Sequence, residues 1–188
     1  MDSKTEKKTP IVNDEKKSEN KWKKKFVEAK NKENVIKEAK DAAESTICEV
    51  SAAEFVAAVY YNGVKLEDGF EIERDVDTYK KFIKLAINAG SLPSMLHCSR
   101  FLIENKENDK ASELLAHAAE MGSGEALNSL GVLAVKGGDA VKGIDFFEKA
   151  IAKDVEEAKK NLKFTLTRVI QALQEQQTSF IKKLSDLK

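Results

Sequence analysis

Four side chains are of a type that can hold a metal or carry nucleophilic chemistry: Cys48, His97, Cys98 and His117. Zinc requires ligands that converge at short, fixed spacings, and the chain has neither Cys-x-x-Cys nor His-x-x-x-His. A catalytic cysteine needs a depressed pKa and a nearby base. By the internal periodicity described below, Cys98 belongs to a core, where a thiol is inert. Gly137-Gly138 lacks the following Lys-Ser/Thr of a phosphate-binding loop and reads as a helix stop and turn. The pair Glu156-Glu157 falls at a helix start, where negative charge suits the helix dipole. These residues point to no catalytic group, no metal ligand and no cofactor, and the chain reads as non-enzymatic.

The elements that would position any site are helices. Of the 188 residues, 41 % are hydrophobic and 34 % charged, with 9 Gly and 2 Pro, which favours helix over sheet. No run approaches the ~18 consecutive apolar residues of a membrane span. Met1-Asp2-Ser3-Lys4 leads into no apolar secretory segment. Two cysteines make no disulfide framework, so an intracellular, cytoplasmic setting is expected. The formal net charge of +0 conceals three surfaces: residues 1–40 are basic, 41–154 acidic and 155–188 mildly basic.

Residues 1–20 carry few apolar side chains besides Ile11 and Val12 and are expected to be a disordered tail. Residues 21–46 read as an amphipathic helical arm, with Trp22, Phe26, Ala29, Ile36 and Ala43 at helical steps and a break near Asn31–Asn34. Beyond Cys48, helix and turn alternate. A helix over 52–62 stops at Gly63, and a charged loop follows at 64–75. The next helix is capped by Asp75 or Asp77 and stops at Gly90. Ser91 and Pro93 open another, which ends near Asn105. Asp109 is expected to cap the one that stops at Gly122. A helix over 123–136 ends at Gly137-Gly138. Asp139 caps the next, and Asp154 opens a final long helix toward Leu187, with a fray or bend near Gln174–Thr178.

A shift of about 32 residues superimposes the apolar pattern. Ala86, Ala118 and Ala150 align, as do Phe82, Leu114 and Phe146, and Ile83, Leu115 and Phe147. In the partner helices Ser94, Ala126 and Ala158 align, and so do Cys98, Leu130 and Leu162. The stops Gly90 and Gly122 align with Asp154. Small residues recur where helices approach and large ones where space must be filled, as stacked hairpins require. The expected fold is an all-α solenoid of about three antiparallel hairpins, over residues 47–90, 91–122 and 123–154, followed by a C-terminal helix over 155–188.

The run Ala118-Ala119-Glu120-Met121-Gly122-Ser123-Gly124-Glu125-Ala126, followed by Leu130-Gly131, resembles the Sel1-like repeat signature. Leu130-Gly131, Gly143, Phe147 and Ala150 keep the spacing of the related tetratricopeptide repeat. The likeness is good over 90–155. It is weaker over 52–90, where Val56-Ala57 replaces Leu-Gly and the loop after Gly63 is longer. The resemblance implies a right-handed superhelix that binds other proteins on its concave face. Mapped onto this chain, that face is Glu54, Ala58 and Tyr61, then Leu96, Arg100 and Ile103, then Asn128, Val132, Val135 and Lys136.

The expected function is a non-enzymatic scaffold or adaptor that holds a partner peptide or helix in this groove. Three alternatives stay open. The basic run Lys21, Trp22, Lys23, Lys24, Lys25 and Phe26 either packs its aromatics onto the first repeat or meets RNA or another anionic surface weakly. The second choice would make the chain a ribonucleoprotein-associated factor. The C-terminal stripe Leu162, Leu166, Val169, Ile170, Leu173, Phe180, Ile181 and Leu184 either caps the last hairpin or meets a partner or a second copy. The groove itself is either open or filled by that helix.

Overall fold

The computed structural model describes residues 15–45, 48–67 and 69–186, with side chains from Lys21 onward. The expected tail lies outside the described residues as far as Asp14; from Glu15 the chain is helical, ahead of the expected start at Lys21. The chain divides into two compact units at Ser91 and Leu92.

The first unit holds α1 (Glu15–Glu28), α2 (Lys32–Ala43), α3 (Val50–Asn62), β1 (Val64–Lys65), β2 (Glu71–Ile72) and α4 (Val76–Asn88). The arm breaks between α1 and α2, where the Asn31 side chain caps α2 by accepting the Asn34 N–H at 3.1 Å. Helix α3 buries Ala52, Ala53, Phe55, Val56, Ala57 and Val59, more than one face of a helix can hold, because α1, α2 and α4 all pack on it.

The stretch 64–75, expected as a loop, contains an antiparallel strand pair, with Val64 opposite Ile72 and Lys65 opposite Glu71. Its charges hide a two-residue alternation: Val64, Leu66, Phe70 and Ile72 are half-buried, while Lys65 and Glu71 are exposed. Gly63 has φ of +69°, and a Cβ there would sit 3.0 Å from the Ile72 carbonyl, so the entry to this hairpin requires glycine.

The second unit holds α5 (Leu92–Glu104), α6 (Asn108–Glu120), α7 (Gly124–Lys136), α8 (Ala140–Ile151) and α9 (Glu156–Ser185). Helix α5 pairs with α6 and α7 with α8, and α9 packs on α8. The 32-residue period has a backbone origin. Ala86, Ala118 and Ala150 are fully buried, and each is followed four residues later by a residue of positive φ: Gly90, Gly122 or Asp154. The next N–H then returns to the alanine carbonyl: Ser91 to Ala86 at 3.0 Å, Ser123 to Ala118 at 3.0 Å and Val155 to Ala150 at 3.2 Å. These are three copies of one helix-stop motif.

Two caps differ from expectation. Asp154 occupies the left-handed turn (φ +61°), and Val155, not Asp154, is the N-cap of α9. Asp109 lies in the first turn of α6, whose N-cap is Glu107. There Lys106 takes the left-handed turn and the Glu107 N–H returns to the Leu102 carbonyl at 2.9 Å, so the helix begins sooner. Asp75 and Asp139 cap α4 and α8 as expected, and Ser123, read in sequence as the first residue of its helix, is the N-cap of α7. Helix α9 runs unbroken through Gln174–Thr178, where the Thr178 hydroxyl donates to the Gln174 carbonyl at 2.8 Å within the helix.

The Leu130-Gly131, Gly143, Phe147 pattern is a close helix crossing. A Cβ at Gly131 would lie 2.5 Å from the Phe147 ring, and one at Gly143 would collide with Val135 and reach the Gly131 carbonyl at 3.0 Å. Backbone meets backbone between α7 and α8, and Phe147 fills the remaining space at 1 % exposure.

Candidate protein-binding surfaces

The basic arm is built as a cover for the first hairpin. Trp22 is 5 % and Phe26 7 % exposed. Trp22 stacks on Phe55 at 6.5 Å between ring centroids, and Phe26 meets Phe55 at 5.6 Å and Phe70 at 5.8 Å. Glu49 fastens it: one carboxylate oxygen accepts from Trp22 Nε1 at 2.9 Å, Ser51 Oγ at 3.0 Å and Lys21 Nζ at 3.2 Å. Burial alone would raise the Glu49 carboxyl, but these hydrogen bonds and the Lys21 charge outweigh it and hold the group below its ordinary value. Lys25 pairs with Glu38, and Lys24 lies 4.0 Å from Glu28. Lys23 is exposed. Neither aromatic of this run offers an open face for a base to stack on.

Strip residues fall in both units. In the first, Glu54 accepts the Ser91 hydroxyl, the Ala58 carbonyl accepts from Asn62 Nδ2 at 3.0 Å, and the Tyr61 ring lies 5.0 Å from Tyr79 and 5.2 Å from the Arg74 guanidinium. In the second, Leu96 is half-buried and its carbonyl accepts from Arg100 Nε at 3.3 Å, leaving the rest of the Arg100 side chain exposed. Asn128, Val132 and Val135 turn toward α8 and α9: the Asn128 Oδ1 accepts from Asn161 Nδ2 of α9 at 2.9 Å, and both valines pack on the cluster of Phe147, Ala150 and Ala158. The first turns of α9 therefore cover part of the strip.

Ile103 and Lys136 belong instead to an open cleft of about 960 Å³ within the second unit. Its floor is Leu127, Leu130 and Leu133 of α7, one wall is α6 and the other is α8 with Phe146. The rim carries both signs, with Asp109, Glu113 and Asp139 against Lys136 and Lys142. Of the α7 residues in the sequence-derived strip only Lys136 lines this cleft, and its floor of leucines was not part of that strip. Its signal was present as a second stripe, Leu127, Leu130 and Leu133, at steps of three.

The groups suited to chemistry are dispersed. Among the described residues no cluster of three His, Cys, Asp or Glu side chains is placed to hold a metal ion. Burial, with Glu107 nearby, pushes the half-buried Cys98 thiol up, and burial with Glu49 does the same to Cys48, which disfavours the reactive thiolate. Burial, with the Arg100 charge, lowers His97, while His117 is exposed. No described helix is long and apolar enough to cross a membrane.

No family model and no curated protein matches the sequence. Solved structures do match. A Sel1 repeat protein from Oxalobacter formigenes is similar over 68 % of this chain and 96 % of its own, with a TM-score of 0.52 at 24 % identity. PilF of Pseudomonas aeruginosa, a TPR-repeat protein, is similar over 86 % of this chain and 73 % of its own, with a TM-score of 0.57 at 14 % identity. The fold is a Sel1-like, tetratricopeptide-like helical repeat. At these identities the likeness concerns the fold. Within the Sel1-like array, the left-handed stops and the glycine crossing of α7 and α8 are the residues through which this sequence specifies it.

Proposed function

We propose that the chain is a non-catalytic protein-interaction scaffold whose second unit holds a partner peptide or helix. The observation that carries this reading is the open cleft between α6 and α8. An apolar floor of leucines with charges of both signs at its rim suits an amphipathic segment flanked by polar residues. Of the two exposed members of the sequence-derived strip, Arg100 and Lys136, the second lines this cleft.

The test is capture of partners by the full chain and by two variants whose folding is checked by circular dichroism. Leu133→Glu with Lys136→Glu places charge in the cleft and is expected to abolish capture. Tyr61→Ala with Arg100→Ala probes the strip and is expected to weaken it. Unchanged capture by the cleft variant would remove the cleft from consideration.

A further inference from the structure

We propose that the distal half of α9 is a self-association element, along which a second copy of this chain docks in antiparallel orientation over residues 166–185. The inference rests on the scaffold reading and names the partner of its terminal helix.

Helix α9 has 30 residues, about 45 Å. It is anchored through its first turns, where Ala158 and Thr165 are buried and Leu162 packs on the α7–α8 core. Beyond Thr165 the large apolar side chains other than the half-buried Val169 face solvent: Leu173 is 58 %, Phe180 59 % and Leu184 68 % exposed. The hydroxyls of Thr167, Thr178 and Ser185 donate to carbonyls of α9 itself. A helical extension of this length without tertiary packing is marginal in water, so a stripe of exposed leucine and phenylalanine calls for a covering surface.

The spacing specifies a helix as that cover. Leu166, Leu173 and Phe180 recur every seven residues, and Ile170, Gln177 and Leu184 follow each of them by four, which is the d and a pattern of a coiled-coil seam. Charge then favours a second copy. Arg168, Glu175 and Lys182 all fall on the outer edge, opposite the seam. Of the flanking positions Thr167, Val169, Gln174, Gln176, Ile181 and Lys183, only the last is charged. The flanks carry no charge pattern to select a foreign helix and almost none to repel an identical one.

An antiparallel pair sets Leu166 against the second copy's Leu184, Ile170 against its Phe180 and Leu173 against its Gln177. The two Lys183 then lie at opposite ends, and the helix dipoles oppose. The exposed apolar side chains from Leu166 to Leu184 offer on the order of 600 Å² per chain, or roughly 1,200 Å² for the pair, the lower end of what specific interfaces bury.

Sedimentation of the full chain provides the test. The mass is expected to rise from 20.9 kDa toward twice that value as concentration increases. Ile170→Glu with Leu173→Glu alters only exposed positions; it is expected to leave the Trp22 emission unchanged and to weaken association at least ~100-fold. Orientation is read by disulfide formation after Cys48→Ala and Cys98→Ala. Antiparallel docking joins a Leu173→Cys chain to a Gln177→Cys chain, whereas a Gln177→Cys chain that links readily to itself would overturn the orientation. A chain that stays monomeric at about 100 µM, a variant that associates like the wild type, or an apolar face that binds phosphatidylserine vesicles instead would each overturn the inference. A monomeric wild type whose capture of partners still depends on Leu133 would fail this inference and leave the scaffold reading standing.

Discussion

The first and last helical regions of the described chain resolve the same open choice, cover or exposed surface, in opposite ways. The arm, α1 and α2, is rich in lysine interleaved with Trp22 and Phe26 and its sequence left packing or ligand binding open; both aromatics are buried against Phe55. The sequence of α9 left capping or partner contact open; in its distal half the leucines and Phe180 face solvent. Composition does not decide which is the interface. What decides is whether the unit offers a complementary apolar surface, and α3, apolar on more than one face, offers one to the arm.

The sharpest way to break this comparison uses one residue type in both places. Phe26→Ala is expected to cost about 3–5 kcal/mol, because it empties a site enclosed by Phe55 and Phe70. Phe180→Ala, measured by urea unfolding at concentrations where the chains are apart, is expected to cost under ~0.5 kcal/mol. Equal costs would show that the two regions are packed alike. Next in size is Gly131→Ala, which drives a Cβ into the Phe147 ring and is expected to cost about 1–3 kcal/mol in the same assay.

Acid should loosen the arm. The folded-state pKa of Glu49 lies below its ordinary value of 4.5, so its contribution to stability is present above that value and is lost as pH falls from there through the folded pKa. Trp22 is the chain's one tryptophan and donates to this carboxylate. Its emission is expected to shift to the red on acidification below that point, and Glu49→Gln should flatten the change. A pH-independent emission would detach Glu49 from the arm.

Smaller effects sharpen the repeat side of the comparison. Asp154→Gly and Lys106→Gly place glycine at positive φ, as Gly90, Gly122 and Gly138 already do, and each is expected to raise stability by about 0.5–1 kcal/mol in thermal melts. Lys24→Gln, which removes an exposed pair with Glu28, is expected to change stability by under ~0.5 kcal/mol.

The period of about 32 residues was legible because helix stops need specific chemistry. A glycine at positive φ after a buried alanine is visible as Gly90 or Gly122 in sequence, and the breaks at Asn31 and Asp75 announced themselves through capping residues. Lys106 hid its turn because lysine does not advertise a left-handed conformation, whereas Asp154, a type that visits it occasionally, was exposed by its alignment with Gly90 and Gly122. The strand pair at 64–72 was obscured by exposed charges on its outer face, although Val64, Leu66, Phe70 and Ile72 alternate correctly. The cleft was less legible than the fold. Its floor depends on which of two apolar stripes of α7 is taken by α8, and that choice is made by the contact of Gly131 and Gly143 with their neighbours, not by hydrophobicity.

Amide hydrogen exchange on the dilute full chain tests the contrast between a covered arm and an open terminal helix most directly. Protection over residues 22–43 is expected to match that of 52–59 in α3, while residues 168–185 exchange orders of magnitude faster and gain protection as concentration rises. An arm that exchanges as fast as the distal half of α9, or a distal half protected at every dilution, would contradict the account.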